Sequence, residues 1–275
     1  MSPAPQMNMV KLATEAMATR FEVAIWDDRD EAQVRAIAEA AIAEIERWHA
    51  RLNLFDQASL CGHVARMQPG VTLRLDADEA RLVRACLDLY EVSDGAYDIV
   101  VSGSRKRGMS NGGTSDDLKL LSDGTLTVNR TGLLLDFGSV AKGFALDMVR
   151  TVLMDEDVTC AFVHGGTSSV MTMGVPRDQK CWKVRVGDRV AQLDGTTASC
   201  LSVSKPMQGE VRHIADARGA ATDGETKIIA AVAHASGLDA EGWSTLLLID
   251  APRRDEYEAM VGALGGKVIY AHAKA

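Results

Sequence analysis

The sequence predicts an α+β fold in which antiparallel sheets pack with helices. Three observations carry that expectation. Residues 19–26 (TRFEVAIW) alternate apolar and polar side chains, the period of a half-buried strand. Residues 30–52 instead place Val34, Ile37, Ala38, Ala41, Ile42, Ile45 and Trp48 at helical spacing. The second half of the chain supplies strand after strand with few helices between them, which breaks the strict alternation of a doubly wound parallel sheet.

The elements follow in order. A short polar leader, residues 1–16, precedes the first strand. After the long amphipathic helix, residues 71–75 (VTLRL) read as a short strand. Residues 76–92 read as a helix that starts on an aspartate N-cap and has acidic residues in its first turn. The stretch 93–103 (SDGAYDIVVSG) reads as a loop, and the Gly- and Ser-rich run that continues from it as a surface or ligand-ordered loop. Residues 125–129 and 132–137 read as a pair of strands, and 140–154 as a helix. Strands then follow at 160–164, 168–173, 182–186, 201–204 and 228–233. Helices near 240–247 and 254–263 complete one domain spanning 1–275. No repeat, low-complexity tract or long linker interrupts it.

Composition bounds the function. The chain has 275 residues, a net charge of -8, 47% hydrophobic and 25% charged residues, which is ordinary for a soluble globular domain. The acidic balance argues against nucleic acid or an anionic membrane as a partner. No run of about 18 apolar residues is present to span a membrane, and the N-terminus lacks the apolar region of a secretory signal. Five cysteines, none in a CxxC pair, speak against a disulfide framework or zinc site and for a reduced cytoplasmic setting.

One stretch raises a chemical question. Residues 133–143 read LLLDFGSVAKG and include the three letters that hold magnesium in a protein kinase. The kinase reading fails, because no glycine-rich loop, strand lysine or HRD catalytic loop precedes them. The local pattern still suits an anion. An apolar strand ends at Gly138, Ser139 can cap the helix that starts at Val140, and Lys142 lies in its first turn. Gly143 costs that helix about 1 kcal/mol relative to alanine, which is tolerated where something approaches closely. Asp147 lies roughly 140° round the helix from Lys142 at ~100° per residue, so the two do not share a face, and if Lys142 faces a ligand Asp147 is structural. The competing reading is a plain strand–helix corner with a solvated lysine.

Other stretches add to this. VHGG, 163–166, ends a strand in paired glycines. RHIADARG, 212–219, sets His213 three residues before Asp216. AEGWSTL, 240–246, places Glu241 and Thr245 on one helix face, where a carboxylate and a hydroxyl could meet a hard cation. An exposed helix charge at Glu241 and a surface histidine at His213 are the plainer alternatives.

In this order the stretches resemble the FAD:protein FMN transferases, the ApbE family. The family's methionine–glycine–threonine appears as Met17, Ala18 and Thr19. Its tyrosine before a serine-containing turn appears as Phe55. Its T-D-G-A-F-D loop appears as SDGAYD, and D-L-G-G-I-A-K-G-Y-A-V-D as DFGSVAKGFALD, 136–147. N-x-G-G-D is matched by VHGGT, H-I-I-D-P-x-T-G by HIADARG, and A-D-A-L-S-T by AEGWST.

The resemblance implies a cleft between two halves of the fold that binds FAD, with Mg²⁺ at its diphosphate. It also implies transfer of FMN to a threonine hydroxyl of an acceptor protein, with release of AMP. Carried over, Met17, Phe55, Ala96, Tyr97, Asp98, Asp136, Lys142 and Ile214 line the FAD site. Ser139, Glu241, Ser244 and Thr245 lie at the metal. His213 matches the catalytic histidine, and either His213 or Asp216 could act as the base. The chain also departs from the pattern. Glu241 stands for a metal aspartate, Thr167 for the aspartate of N-x-G-G-D, and Ala217 for a proline, while only Ser202 of the T-S-G segment remains. Those departures make a flavin-binding relative with a degraded metal site the alternative function.

Overall fold

The computed structural model describes residues 8–109, 112–177, 179–196, 199–205, 216–219 and 228–272. Twelve strands and seven α-helices occur among them. The strands are β1 (Asn8–Ala16), β2 (Thr19–Asp27), β3 (Thr72–Arg74), β4 (Leu118–Leu120), β5 (Thr125–Val128), β6 (Ala161–Gly165), β7 (Ser169–Met173), β8 (Trp182–Val186), β9 (Arg189–Leu193), β10 (Cys200–Ser204), β11 (Ile228–His234) and β12 (Lys267–His272). The helices are α1 (Glu31–Arg51), α2 (Leu60–Arg66), α3 (Ala77–Val92), α4 (Ile99–Lys106), α5 (Ala141–Asp155), α6 (Gly237–Ile249) and α7 (Arg254–Ala263).

Seven strands form one sheet in the order β1-β2-β6-β7-β10-β11-β12, with antiparallel neighbours throughout. A three-stranded sheet, β3-β5-β4, and the β8-β9 hairpin stand apart from it. The period-2 pattern explains how both faces of the large sheet are used. Along β11, Ala230 and Val232 enter the core shared with α3, α4 and α6, while Ile229, Ala231 and Ala233 pack under β8-β9. Beneath β2, β6 and β7, the apolar stripe of α1 meets α5 in a second core; where the same two helices reach the first core, Trp48 meets Phe144 edge-on at 4.6 Å. The mixed α+β architecture expected from the sequence is therefore present.

Four local expectations change. Residues 8–16 are not leader but an edge strand, paired residue for residue with β2. The stretch 99–106 is a helix rather than loop, because the Asp98 carboxylate caps it at Val100 and Val101. The run 132–137 is buried but joins no sheet; its Asp136 N–H donates to the Ile99 carbonyl at 2.9 Å. Helix α5 starts at Ala141 without a side-chain cap from Ser139 or Val140.

Candidate functional site

The site is best built from the start of α5. Leu133, Leu135 and Phe137 sink into the core and fix the backbone that delivers Asp136, Ser139 and Lys142 to one corner. The Asp136 carboxylate accepts from the Lys106 ammonium at 2.8 Å and from the Gly138 N–H at 2.9 Å. The Ser139 hydroxyl shares a 2.8 Å hydrogen bond with the Tyr97 phenol. That bond ties SDGAYD to DFGSVAKG, 42 residues away. Burial pushes the Tyr97 phenol well above its usual range, with the nearby Cys86 thiol adding to the effect, so it stays protonated. The same burial pushes Cys86 up to about 12.

Lys142 reaches α6, where its ammonium lies 3.0 Å from Glu241 Oε1. Glu241 is not an exposed charge: it is 3% exposed. Its other oxygen accepts from the Gly143 N–H at 2.8 Å, and its Oε1 also accepts from the Ser169 hydroxyl of β7. The anion at the N-terminus of α5 is thus a carboxylate of the protein itself. Gly143 serves the same contact. A Cβ there would stand 2.0 Å from the Gly237 carbonyl oxygen, so the close approach is between two helices and not toward a ligand. Ser244 is buried as well; its hydroxyl meets those of Ser202 at 3.0 Å and Ser204 at 2.9 Å. Thr245 lies one turn beyond Glu241, also buried.

The remaining expected residues divide. Ala96 is brought in, since its carbonyl accepts from the Ala217 N–H at 2.8 Å and so joins the SDGAYD loop to the segment after His213. Asp98 is committed to structure: besides capping α4, it accepts from the Ser115 N–H at 3.1 Å and hydroxyl at 2.9 Å. Asp216 is 2% exposed and is gripped by Arg218, which also reaches Asp250 at 3.2 Å. Met17 occupies a β1-β2 turn with φ +50°, its N–H on His49 Nδ1 at 3.1 Å. Phe55 is 64% exposed, and the Arg107 guanidinium covers its ring at 5.3 Å. His213 and Ile214 lie outside the described residues. Beside α4 a cleft of about 520 Å³ opens among Val101, Ser104, Arg105, Arg130 and Ala217. Arg105 donates there to the Asp216 and Ala217 carbonyls at 3.0 and 3.2 Å.

Sequence reading missed Lys106 and Ser169. Lys106 carries a signal, because Asp98 followed by a short apolar run marks a capped helix. Ser169 carries none, being 72 residues from the carboxylate it meets.

The residues expected at magnesium do not fit the ion as they stand. Glu241 spends both oxygens on an ammonium, a hydroxyl and an N–H. Ser139 and Ser244 are hydrogen-bonded to other side chains. Among the described residues no group of three or more His, Cys, Asp or Glu could hold a metal.

A large antiparallel sheet backed by two glycine-contacting helices, with a lysine, a phenol, hydroxyls and a buried carboxylate gathered at one helix start, defines an α+β domain with a polar corner where α5 meets α6. The chain belongs to the ApbE family, whose pattern it matches over residues 17–260. It shares its fold with the ApbE protein of Thermotoga maritima, at 18% identity and TM-score 0.77 over 97% of each chain. It is similar to the flavin transferase ApbE of Vibrio cholerae, at 17% identity and TM-score 0.76, covering 96% of this chain and 93% of that one. The apo form of the Pseudomonas stutzeri flavinyl transferase ApbE matches at 20% identity and TM-score 0.76, covering 98% and 96%. No curated protein matches the chain significantly.

Proposed function

We propose that this single-domain protein is an FAD:protein FMN transferase. Family membership supports the reaction class, and the observation that carries the reading to residues is the Tyr97–Ser139 hydrogen bond. It brings the two most specific motifs together beside Lys142. In the proposed reaction, a threonine hydroxyl of an acceptor protein attacks the FMN phosphorus of FAD. A P–O bond forms, the diphosphate P–O bond breaks, and AMP departs with that bond's electron pair. The threonine proton passes to a base.

Asp216 is buried and both its oxygens already accept from the Arg218 guanidinium, so neither is free to meet an acceptor hydroxyl. The proton is therefore assigned to His213. Lys142 and the buried Tyr97 O–H are suited to offset charge on the diphosphate oxygens. No step is assigned to magnesium, since the residues present do not fit it. Asp98 and Asp216 support the site from behind, through α4 and the Arg218 network. Five free thiols suit a reducing cytoplasm, and no helix among the described residues is long and apolar enough to cross a membrane.

A second reading, flavin binding without transfer, is favoured by the full engagement of Glu241. Mass spectrometry of a threonine-bearing acceptor, incubated with the protein and FAD in Mg²⁺ and separately in EDTA, decides between them. Addition of one FMN to the threonine is the expected result. An unmodified acceptor beside calorimetric FAD binding would establish the second reading.

A further inference from the structure

Helices α5 and α6 meet at the candidate site through one device used twice. Gly143 in α5 is followed four residues later by Asp147, and Gly237 in α6 four residues later by Glu241. The glycines touch. A Cβ on either would meet the other's carbonyl oxygen, at 2.0 Å from Gly143 and 2.4 Å from Gly237. Across that contact, the Gly237 N–H donates to Asp147 Oδ1 at 2.7 Å, and the Gly143 N–H donates to Glu241 Oε2 at 2.8 Å. Each helix therefore closes the other's N-terminus with a carboxylate, where free N–H groups and the helix dipole favour negative charge.

Asp147 shows what the device does. It also takes the Leu238 N–H at 3.1 Å and the Ser236 hydroxyl at 2.9 Å, and it pairs with Arg150 at 3.0 Å. Glu241 is its counterpart, with Ser169 and Lys142 as the further partners. The geometry points to Glu241 as a structural carboxylate that fastens α5 and anchors the Lys142 ammonium, and not as a ligand of a divalent cation.

A cation at Glu241 would have to displace the ammonium 3.0 Å away or sit against it. Mg²⁺ further demands near-octahedral oxygens at about 2.0–2.1 Å. The side-chain length is consistent with this. The Glu241 Cγ already lies against Gly143, and an aspartate would end its chain there, one bond short of the donors that glutamate reaches. Lys142, held in this way, supplies the positive charge for an FAD diphosphate; that last clause rests on the transferase reading.

The test uses the full chain and Mn²⁺ as a paramagnetic stand-in for Mg²⁺. Free Mn²⁺ is followed by electron paramagnetic resonance with wild type, Glu241→Gln and Glu241→Asp, each checked for folding by circular dichroism. Wild type and Glu241→Gln are expected to bind Mn²⁺ equally weakly, within about twofold. Mn²⁺ binding by wild type that Glu241→Gln weakens about tenfold or more overturns the assignment. In parallel, FAD is titrated calorimetrically in EDTA and in Mg²⁺. Affinities within about twofold of each other are expected, and a drop of about tenfold in EDTA counts against it. If FAD binds in neither buffer, the transferase reading fails, and the Mn²⁺ comparison still decides the role of Glu241.

Discussion

Replacing Gly143 with alanine tests whether the glycine exists for helix packing. The added Cβ would lie 2.0 Å from the Gly237 carbonyl oxygen, 2.5 Å from its carbon and 2.9 Å from the Glu241 Cγ. Two of these three atoms are backbone, so no rotamer change removes the clash. Ordinary contact begins at 3.4 Å, and the helices must part by about 1.4 Å, the difference between 3.4 and 2.0. Overpacking of this kind costs ~1–3 kcal/mol. Parting also stretches the Gly143–Glu241 and Gly237–Asp147 bonds, and hydrogen bonds to charged groups contribute ~1.5–3 kcal/mol each. Against this, alanine returns ~1 kcal/mol of helix propensity. The net expectation is a loss of about 2–4 kcal/mol, a fall in Tm on the order of 5–12 °C for a chain of this size. Thermal unfolding followed by circular dichroism reads the shift directly. An unchanged or higher Tm would refute the packing argument. Loss of FAD affinity at unchanged Tm would return the glycine to the ligand.

Three further outcomes follow from the same structure. Ala18 holds φ +58° in the β1-β2 turn, a conformation that strains a residue with a Cβ, so Ala18→Gly should stabilise by about 0.5–1 kcal/mol in denaturant titrations; destabilisation would show that its methyl group packs usefully. Lys142→Ala leaves the Glu241 carboxylate with Ser169 and Gly143 but no cation. It should lower stability by roughly 1–3 kcal/mol, below the usual loss for a fully buried pair because those two donors remain, and FAD affinity should fall with it in calorimetry. Glu22 is held down to about 2 from an ordinary 4.5, chiefly by Lys11, then Arg20 and His164. Its folded-state value is depressed, so the stabilisation is complete above about pH 4.5 and is lost as pH falls toward 2; acid titration of Glu22→Gln should show a flatter stability profile over that window, and an identical profile would contradict the assignment.

What the sequence made legible followed from how strongly each element depends on solvent. Helix α1 has one wet face and one dry face, so its apolar period was plain. Strand β1 was missed because it is a sheet edge: of its nine residues only Val10 and Ala16 are buried, too few to write an alternation. Helix α4 reads IVVSGSRK, β-branched and glycine-containing, and is poor in intrinsic propensity. It forms because Asp98 caps it and the core takes Ile99 and Val100. The run 132–137 carries the apolar residues of a buried strand but no ladder, which shows that burial and pairing are separate properties. At the site, the strand–helix corner pattern marked Lys142, and the resemblance to the ApbE family added Tyr97 and Ser139. The partners of Glu241 come from α5 and β7, 98 and 72 residues away, and no local pattern encodes them.

Helix α6 shows what constrains Glu241. Spacing placed it with Thr245 on one face, and such a face is informative on a helix that has an opposite, solvated one. Helix α6 has almost none: of its thirteen residues only Asp239 is not buried. A carboxylate inside such a helix persists only when donors match its charge, because burying it unpaired is far more costly than any packing gain. The side chain had therefore to find donors across its neighbours: the Lys142 ammonium and the Gly143 N–H at the start of α5, and the Ser169 hydroxyl of β7. Asp147 met the same requirement from the other side, with the N-terminus of α6. The two carboxylates are solutions to one constraint, set when two helices cross closely enough for glycine to touch glycine. Any reading of position 241 has to begin from that crossing.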